Sequence, residues 1–224
     1  GGGDSPGINA ALRSIVRFGA KHGVEVVGFL EGWRGPLENL IQPLSMADVS
    51  GILQVGGTIL GTSRTNPFRI EGGAERVIGN LQRNRLDFLI AIGGDDTMYG
   101  AMKVEEAAGG KIKVVHVPKT IDNDLDLPGG APTFGFQTAR HIGVSILKNL
   151  MSDAQTTARW YLVISMGRKA GHLALGIGKA AAATATIIPE EFPGEAIKLT
   201  QIADIIAGAI IKRRAAGRRD GVVI

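Results

Sequence analysis

Along this chain, segments of helical length with helically spaced apolar residues run repeatedly into short apolar stretches, and that alternation restricts the fold more than any other feature. Ile8, Ala11, Leu12, Ile15 and Val16 recur at helical spacing before an extended stretch over 25–30, with Asp4 or Ser5 as the expected cap and Gly23 as the stop. The scheme repeats from 73–85 into 87–92, 96–108 into 112–117, 138–153 into 160–165, 170–183 into 186–188, and 199–216 into 221–224. Strands separated by helices in this way predict an α/β protein of two Rossmann-like, doubly wound domains with mainly parallel sheets. The Pro-Gly-Gly-Ala-Pro break at 128–132 is the best internal punctuation, so the domains are expected over 1–132 and 133–224. A glycine loop at the very start normally follows a strand, and 221–224 reads as a strand cut short, so a fragment lacking the first strand and the C-terminal part is expected.

With 224 residues, 44% of them hydrophobic, the chain can bury the cores of one large or two small α/β domains. It has no cysteine, which excludes a disulfide framework, a thiolate metal site and a cysteine nucleophile, and fits a reducing compartment such as the cytoplasm. No apolar run approaches membrane-spanning length and the N-terminus lacks the regions of a signal peptide, so no membrane partner is expected. The formal charge is +4, but the arginines are scattered and aromatics make up only 5%, a poor footprint for nucleic acid. Small anionic substrates account for the charge equally well.

Gly93, Gly94, Asp95, Asp96 and Thr97 follow the apolar run 88–92, and Pro118, Lys119, Thr120, Ile121, Asp122, Asn123 and Asp124 follow the run 112–117. Each reads as a loop at the carboxyl end of a strand, where open α/β sheets bind ligands. Two glycines let the backbone approach a ligand closely, and Asp95 is placed to hold a hard cation such as Mg2+. Asp96 is a candidate cap for the next helix. Asp122 and Asp124 would share one side of an extended stretch with Asn123 turned away, unless an Asx turn intervenes. Crowded carboxylates raise one another's pKa while Lys119 and a metal lower it, which suits a proton acceptor at neutral pH.

Two further loops are rich in small residues. Gly1 to Gly7 before a helix can bind phosphate through backbone N–H groups, or simply make a tight turn. The loop 56–64 ends in Arg64, whose planar fork suits a transferring phosphoryl group, although a surface arginine is the plainer reading. Arg159 and Arg168 bracket the strand before Met166 and Gly167. At about 3.3 Å per residue they stand roughly 30 Å apart, so one serves this subunit's site and the other a neighbour's. His116, His141 and His172 lack ligand spacing and read as structural or surface residues.

The segments GGGDSPGINAALR at 1–13, GGTILGTSR at 56–64, GGDDT at 93–97, PKTIDND at 118–124 and MGR at 166–168 occur in the order found in the phosphofructokinase family, which the whole chain closely resembles. The resemblance implies that Asp122 takes the proton of the 1-hydroxyl of fructose 6-phosphate, with Thr120 and Asp124 supporting that site. It implies Asp95 as the Mg2+ ligand, Gly3 and Arg64 as donor contacts with Gly94, Asp96 and Thr97 in the donor loop, and Met166 and Gly167 as sugar contacts. Arg168 would stabilise the transition state. Arg159 matches an arginine that reaches the sugar 6-phosphate of an adjacent subunit, implying a homodimer or homotetramer.

For the donor, ATP-using bacterial members resemble this chain but usually have glycine at the Asp96 position and often at the Lys119 position, whereas the pyrophosphate-dependent branch has the aspartate and lysine. A carboxylate about 4 Å from an ATP α-phosphate costs about 1 kcal/mol in water-like surroundings and about 4 kcal/mol at an effective dielectric near 20. Lys119 would neutralise a compact pyrophosphate. Pyrophosphate is the expected donor, in reversible glycolytic phosphoryl transfer, with an ATP-dependent 6-phosphofructokinase as the alternative. NAD kinases and lipid kinases resemble the chain in a GGDGT-like loop but lack the PKTIDND and MGR segments. A non-catalytic subunit would lack the chemistry of Asp122 or Arg168.

Overall fold

Helix α1 (Ile8–Lys21) buries Ile8, Leu12 and Val16, and Val16 joins Leu44, Val49 and Ile52 in a small apolar cluster. Its cap is Gly7 in a left-handed conformation at φ 91°, with no side-chain bond, rather than Asp4 or Ser5. The Asp4 carboxylate instead accepts the Ser5 N–H at 2.8 Å, so it is spent before the helix begins. The computed structural model describes residues 1–167, 170–192, 194 and 196–224.

The extended stretch near 25–30 narrows to β1 (Val27–Phe29), which continues through the short helix α2 (Arg34–Glu38) into β2 (Ile41–Pro43). These two strands pair antiparallel, a local departure from the expected parallel scheme that a tight α2 connection permits. Helix α3 (Gly73–Arg83) leads into β3 (Phe88–Gly93), and α4 (Asp95–Ala108) leads into β4 (Lys113–Thr120). Strands β3 and β4 run parallel, in register from Phe88 opposite Lys113 to Gly93 opposite Pro118. Val77 and Leu81 of α3 and Ala101, Val104 and Ala108 of α4 pack with Ala91 and Ile112 in the main core of this unit. Leu81 is fully buried, so truncating it to alanine would cost about 2–5 kcal/mol. Because β4 runs on to Thr120, Lys119 is a buried strand residue rather than a loop residue.

The chain divides into two compact units, Gly1–Thr120 and Ile121–Ile224. The segment before the Pro-Gly-Gly-Ala-Pro break falls in the second unit because Asn123 is tied there. Its side-chain oxygen accepts the Thr133 N–H at 2.7 Å, and its carbonyl lies 2.8 Å from His172 Nδ1. After the two-residue strand β5 (Phe134–Gly135), the long helix α5 (Phe136–Thr157) leads into β6 (Trp160–Leu162). Helix α6 (His172–Ala181) lies against α5, while α7 (Leu199–Ala215) precedes β7 (Gly221–Val223), which pairs parallel with β6. Phe136, Leu147, Ala154, Leu173, Ile177, Val222 and Ile224 form the core. The stretch 186–188 is not a strand; only Ala185 bridges Val223 nearby. Among the described residues, no helix is long and apolar enough to cross a membrane.

Candidate active site

In the first unit, the turn from β3 into α4 is compact because Thr97 folds back onto glycines. A Cβ at Gly93 would overlap the Thr97 side chain, and one at Gly1 would lie 2.6 Å from its Oγ1. Thr97 is therefore buried beneath the loop. Gly94 caps α4 in an extended conformation with no side-chain bond, so Asp96 is not the cap. Asp95 and Asp96 are instead adjacent residues of the first helical turn, both exposed. Carboxylates there are stabilised by the partial positive charge of the helix end, typically by about 0.3–1 kcal/mol each.

Gly1 to Gly3 are held against that turn from several sides. The Gly1 nitrogen donates to the Ile92 carbonyl at 2.7 Å, and the Thr62 hydroxyl donates to the Gly2 carbonyl at 2.6 Å. The Lys119 ammonium donates to the Gly3 carbonyl, which brings its charge directly behind the loop. A Cβ at Gly3 would meet nothing within 4 Å, so the loop's outer side is open to a ligand. His116 lies 2.8 Å from the Gly93 carbonyl through Nε2, and burial holds its pKa below the usual histidine value. It is a structural support, as its spacing suggests.

The second glycine loop is fastened too. Asn9 of α1 donates to the Val55 carbonyl at 3.0 Å and to Gly56 at 3.3 Å, and its oxygen accepts the Ile59 N–H at 2.9 Å. Ser63 donates to the Glu31 carbonyl at 2.6 Å. Arg64 stands exposed just beyond. Neither Asn9 nor Thr62 belongs to the site residues expected from the sequence. The available signal was a polar residue at Asn9, on the face that Leu12 and Val16 bury.

In the second unit, Asp122 is half-buried and Asp124 exposed. Asn123 between them is left-handed at φ 54°, so the strict alternation expected of an extended stretch does not hold there. Asparagine tolerates that conformation, and the bond its side-chain oxygen accepts from the Thr133 N–H, ten residues on, ties the bend down. Thr120 ends β4, two residues before Asp122 in the chain. Arg159 is exposed between the left-handed Ala158 and β6, while Met166 and Gly167 lie past the other end of that strand. Gly167, at φ 150°, could not carry a Cβ without overlapping the Ala170 carbonyl. Arg168 lies outside the described residues.

Among the described residues, no group of three or more histidines, aspartates or glutamates is placed to hold a metal. A hard cation that binds one carboxylate and completes its shell with water and phosphate oxygens, the habit of Mg2+, still fits an exposed acid such as Asp95.

Glycine loops, the adjacent acids Asp95 and Asp96 and the buried Lys119 lie at the carboxyl ends of the parallel strands β3 and β4, the place where open α/β sheets bind ligands. A family model for phosphofructokinase matches residues 1–224, and the chain belongs to the phosphofructokinase family. A Thermotoga maritima protein named pyrophosphate–fructose 6-phosphate 1-phosphotransferase is 51% identical over 227 residues, covering 100% of this chain and 54% of that one. ATP-dependent 6-phosphofructokinase 3 of Streptomyces coelicolor is 40% identical over 224 residues, covering 100% of this chain and 62% of its own. The structure of phosphofructokinase from Saccharomyces cerevisiae superposes with a TM-score of 0.84 at 31% identity, covering 100% of this chain and 32% of that one. The chain spans about half the length of the curated relatives it matches.

Proposed function

We propose that the protein carrying this chain transfers the distal phosphoryl group of pyrophosphate to the 1-hydroxyl of D-fructose 6-phosphate, reversibly and as a step of glycolysis. The observation that carries the donor assignment is Asp96, an exposed carboxylate beside Asp95 at the start of α4. A nucleotide laid across that turn would bring its α-phosphate against a like charge, whereas pyrophosphate ends before it. The name of the Thermotoga maritima relative supports the same donor, and the ATP-dependent relative keeps ATP as the alternative.

In this reading Asp122 takes the hydroxyl proton as the sugar oxygen bonds to the distal phosphorus, the bridging P–O bond breaks, and inorganic phosphate leaves. Thr120 and Asp124 support the sugar end, and Met166 and Gly167 contact it. The amide of Gly3, the backbone at Gly94 and the Arg64 guanidinium receive the donor, with Thr97 packed beneath. Lys119, Arg64 and Arg168 spread the charge that develops. Asp95 is the residue to hold Mg2+, which when bound neutralises charge on the phosphate oxygens. Arg159 is assigned to the 6-phosphate in a neighbouring subunit, which requires a homodimer or homotetramer. The cytoplasm is the proposed compartment, in keeping with a chain that contains no cysteine.

The test is turnover of fructose 6-phosphate by the whole protein with each donor. Fructose 1,6-bisphosphate formed from pyrophosphate, and consumed again when inorganic phosphate is supplied, is expected. Product formed from ATP alone would overturn the assignment.

A further inference from the structure

We propose that Asn9 is a positioning residue that sets the spacing of the two glycine loops, and so the place of Arg64 against the phosphoryl donor. The inference rests on the reading of those loops as the donor site.

Asn9 sits in the first turn of α1, only 1% exposed, on the face that buries Leu12 and Val16. Burying an amide there is costly unless all its polar atoms are partnered. Here its amide nitrogen donates to the carbonyls of Val55 and Gly56, at 3.0 and 3.3 Å, and its oxygen accepts the Ile59 N–H at 2.9 Å. One side chain thus closes around the first half of the second loop.

The helix that carries Asn9 starts directly from the first loop through Gly7, so the amide ties the second loop to the base of the first. Farther along, the Thr62 hydroxyl fastens the second loop to Gly2 at 2.6 Å. Between these fixed points the chain turns through Gly57 and Gly61, both at positive φ, where the backbone has little stiffness of its own. Arg13, one helical turn after Asn9, holds the Val49 carbonyl at 2.7 Å, so α1 carries the approach to the loop as well as the loop itself. Arg64 follows Thr62 by two residues and Ser63, which donates to the Glu31 carbonyl at 2.6 Å, by one, and takes its position from these tethers together.

Asn9→Asp keeps the shape and the acceptor for Ile59 but sets an oxygen against two carbonyls. It is expected to raise the donor KM by roughly ten- to a hundredfold, the worth of two lost hydrogen bonds, with the fructose 6-phosphate KM unchanged. On an Arg64→Ala background the same substitution should add little, because both act through one group. Thr62→Val removes the exposed tether alone and should raise the donor KM in the same sense; it decides the matter if Asn9→Asp does not fold. Calorimetric titration with magnesium pyrophosphate reads the same shifts without turnover. A folded Asn9→Asp whose donor KM is unchanged, or rises together with the sugar KM, or whose effect adds fully to Arg64→Ala, overturns the proposal. So does an unaltered donor KM in Thr62→Val. If the unmodified protein uses ATP and not pyrophosphate, the donor assignment fails while these comparisons, made with ATP, still decide the role of Asn9.

Discussion

On the donor side, Asn9, Thr62, Thr97 and Lys119 all reach into glycine loops and fasten or support them within the first unit. On the sugar side, in the second unit, Asp124, Arg159 and Met166 stand exposed, and Asn123 fixes the bend between the two acids. Under the proposed assignment of donor to the first side and sugar to the second, the contrast follows from what each would hold. A compact polyanion is bound by backbone amides, and amides act only when their loop is held in place beforehand. In the proposed reading the sugar phosphate is met instead by side chains, with Asp124 and Arg159 presenting their charges at the surface.

Substitutions on the two sides should therefore fail differently. On the sugar side the loss should be chemical. Asp122→Ser in the whole protein is expected to lower kcat by about 10²- to 10⁴-fold with little change in either KM. Steady-state kinetics with both substrates varied measures this, and an unchanged kcat would remove Asp122 from the role of base.

On the donor side the loss should begin with the scaffold. Gly93→Ala forces a methyl group into the Thr97 side chain and should destabilise the first unit by about 1–3 kcal/mol, read from denaturant midpoints. Gly3→Ala meets no neighbour, so its stability should stay within about 0.5 kcal/mol while the donor KM rises. Equal stability losses in the two variants would mean that the loop is not packed as described.

The second unit has its own tightly held charge. Asp220 is bonded by Arg218 at 3.0 Å through both carboxylate oxygens and by Arg213 at 2.9 Å. The Arg218 bonds first, then Arg213, hold its pKa down to about 2 against the opposing effect of burial. An aspartate depressed in the folded state contributes its stabilisation above the unfolded value of about 4 and loses it as pH falls further. Asp220→Asn should accordingly be less stable than the parent protein at neutral pH, and the gap should close as pH drops from about 4 towards about 2. Thermal melts across that range give the answer, and a gap that stays constant would mean the ion pairs contribute nothing.

The central βα repeats were legible in the sequence because β3, β4, α3, α4 and α5 are long enough to carry a period. Their observed spans follow the expected ones to within a few residues. The antiparallel partner of β1 was not legible, since a three-residue strand shows no alternation. Asp96, and Asp4 or Ser5, were candidate helix caps, yet glycine takes the cap in each case and the acids sit nearby. In the site, the loops announced themselves by their glycines and acids. What holds them did not: Lys119 meets Gly3 across 116 residues of chain, and Asn9 meets Ile59 across 50, pairings that no local pattern encodes.

In the proposed function, the acid beside Asp95 selects pyrophosphate over a nucleotide. The direct measurement is kcat/KM for pyrophosphate and for ATP in the unmodified whole protein and in Asp96→Gly, alone and with Lys119→Gly. A strong preference for pyrophosphate is expected in the unmodified protein, with a gain in ATP use of about 10- to 1000-fold once Asp96 is removed. Efficient ATP turnover with Asp96 in place, or no gain in either variant, would contradict it.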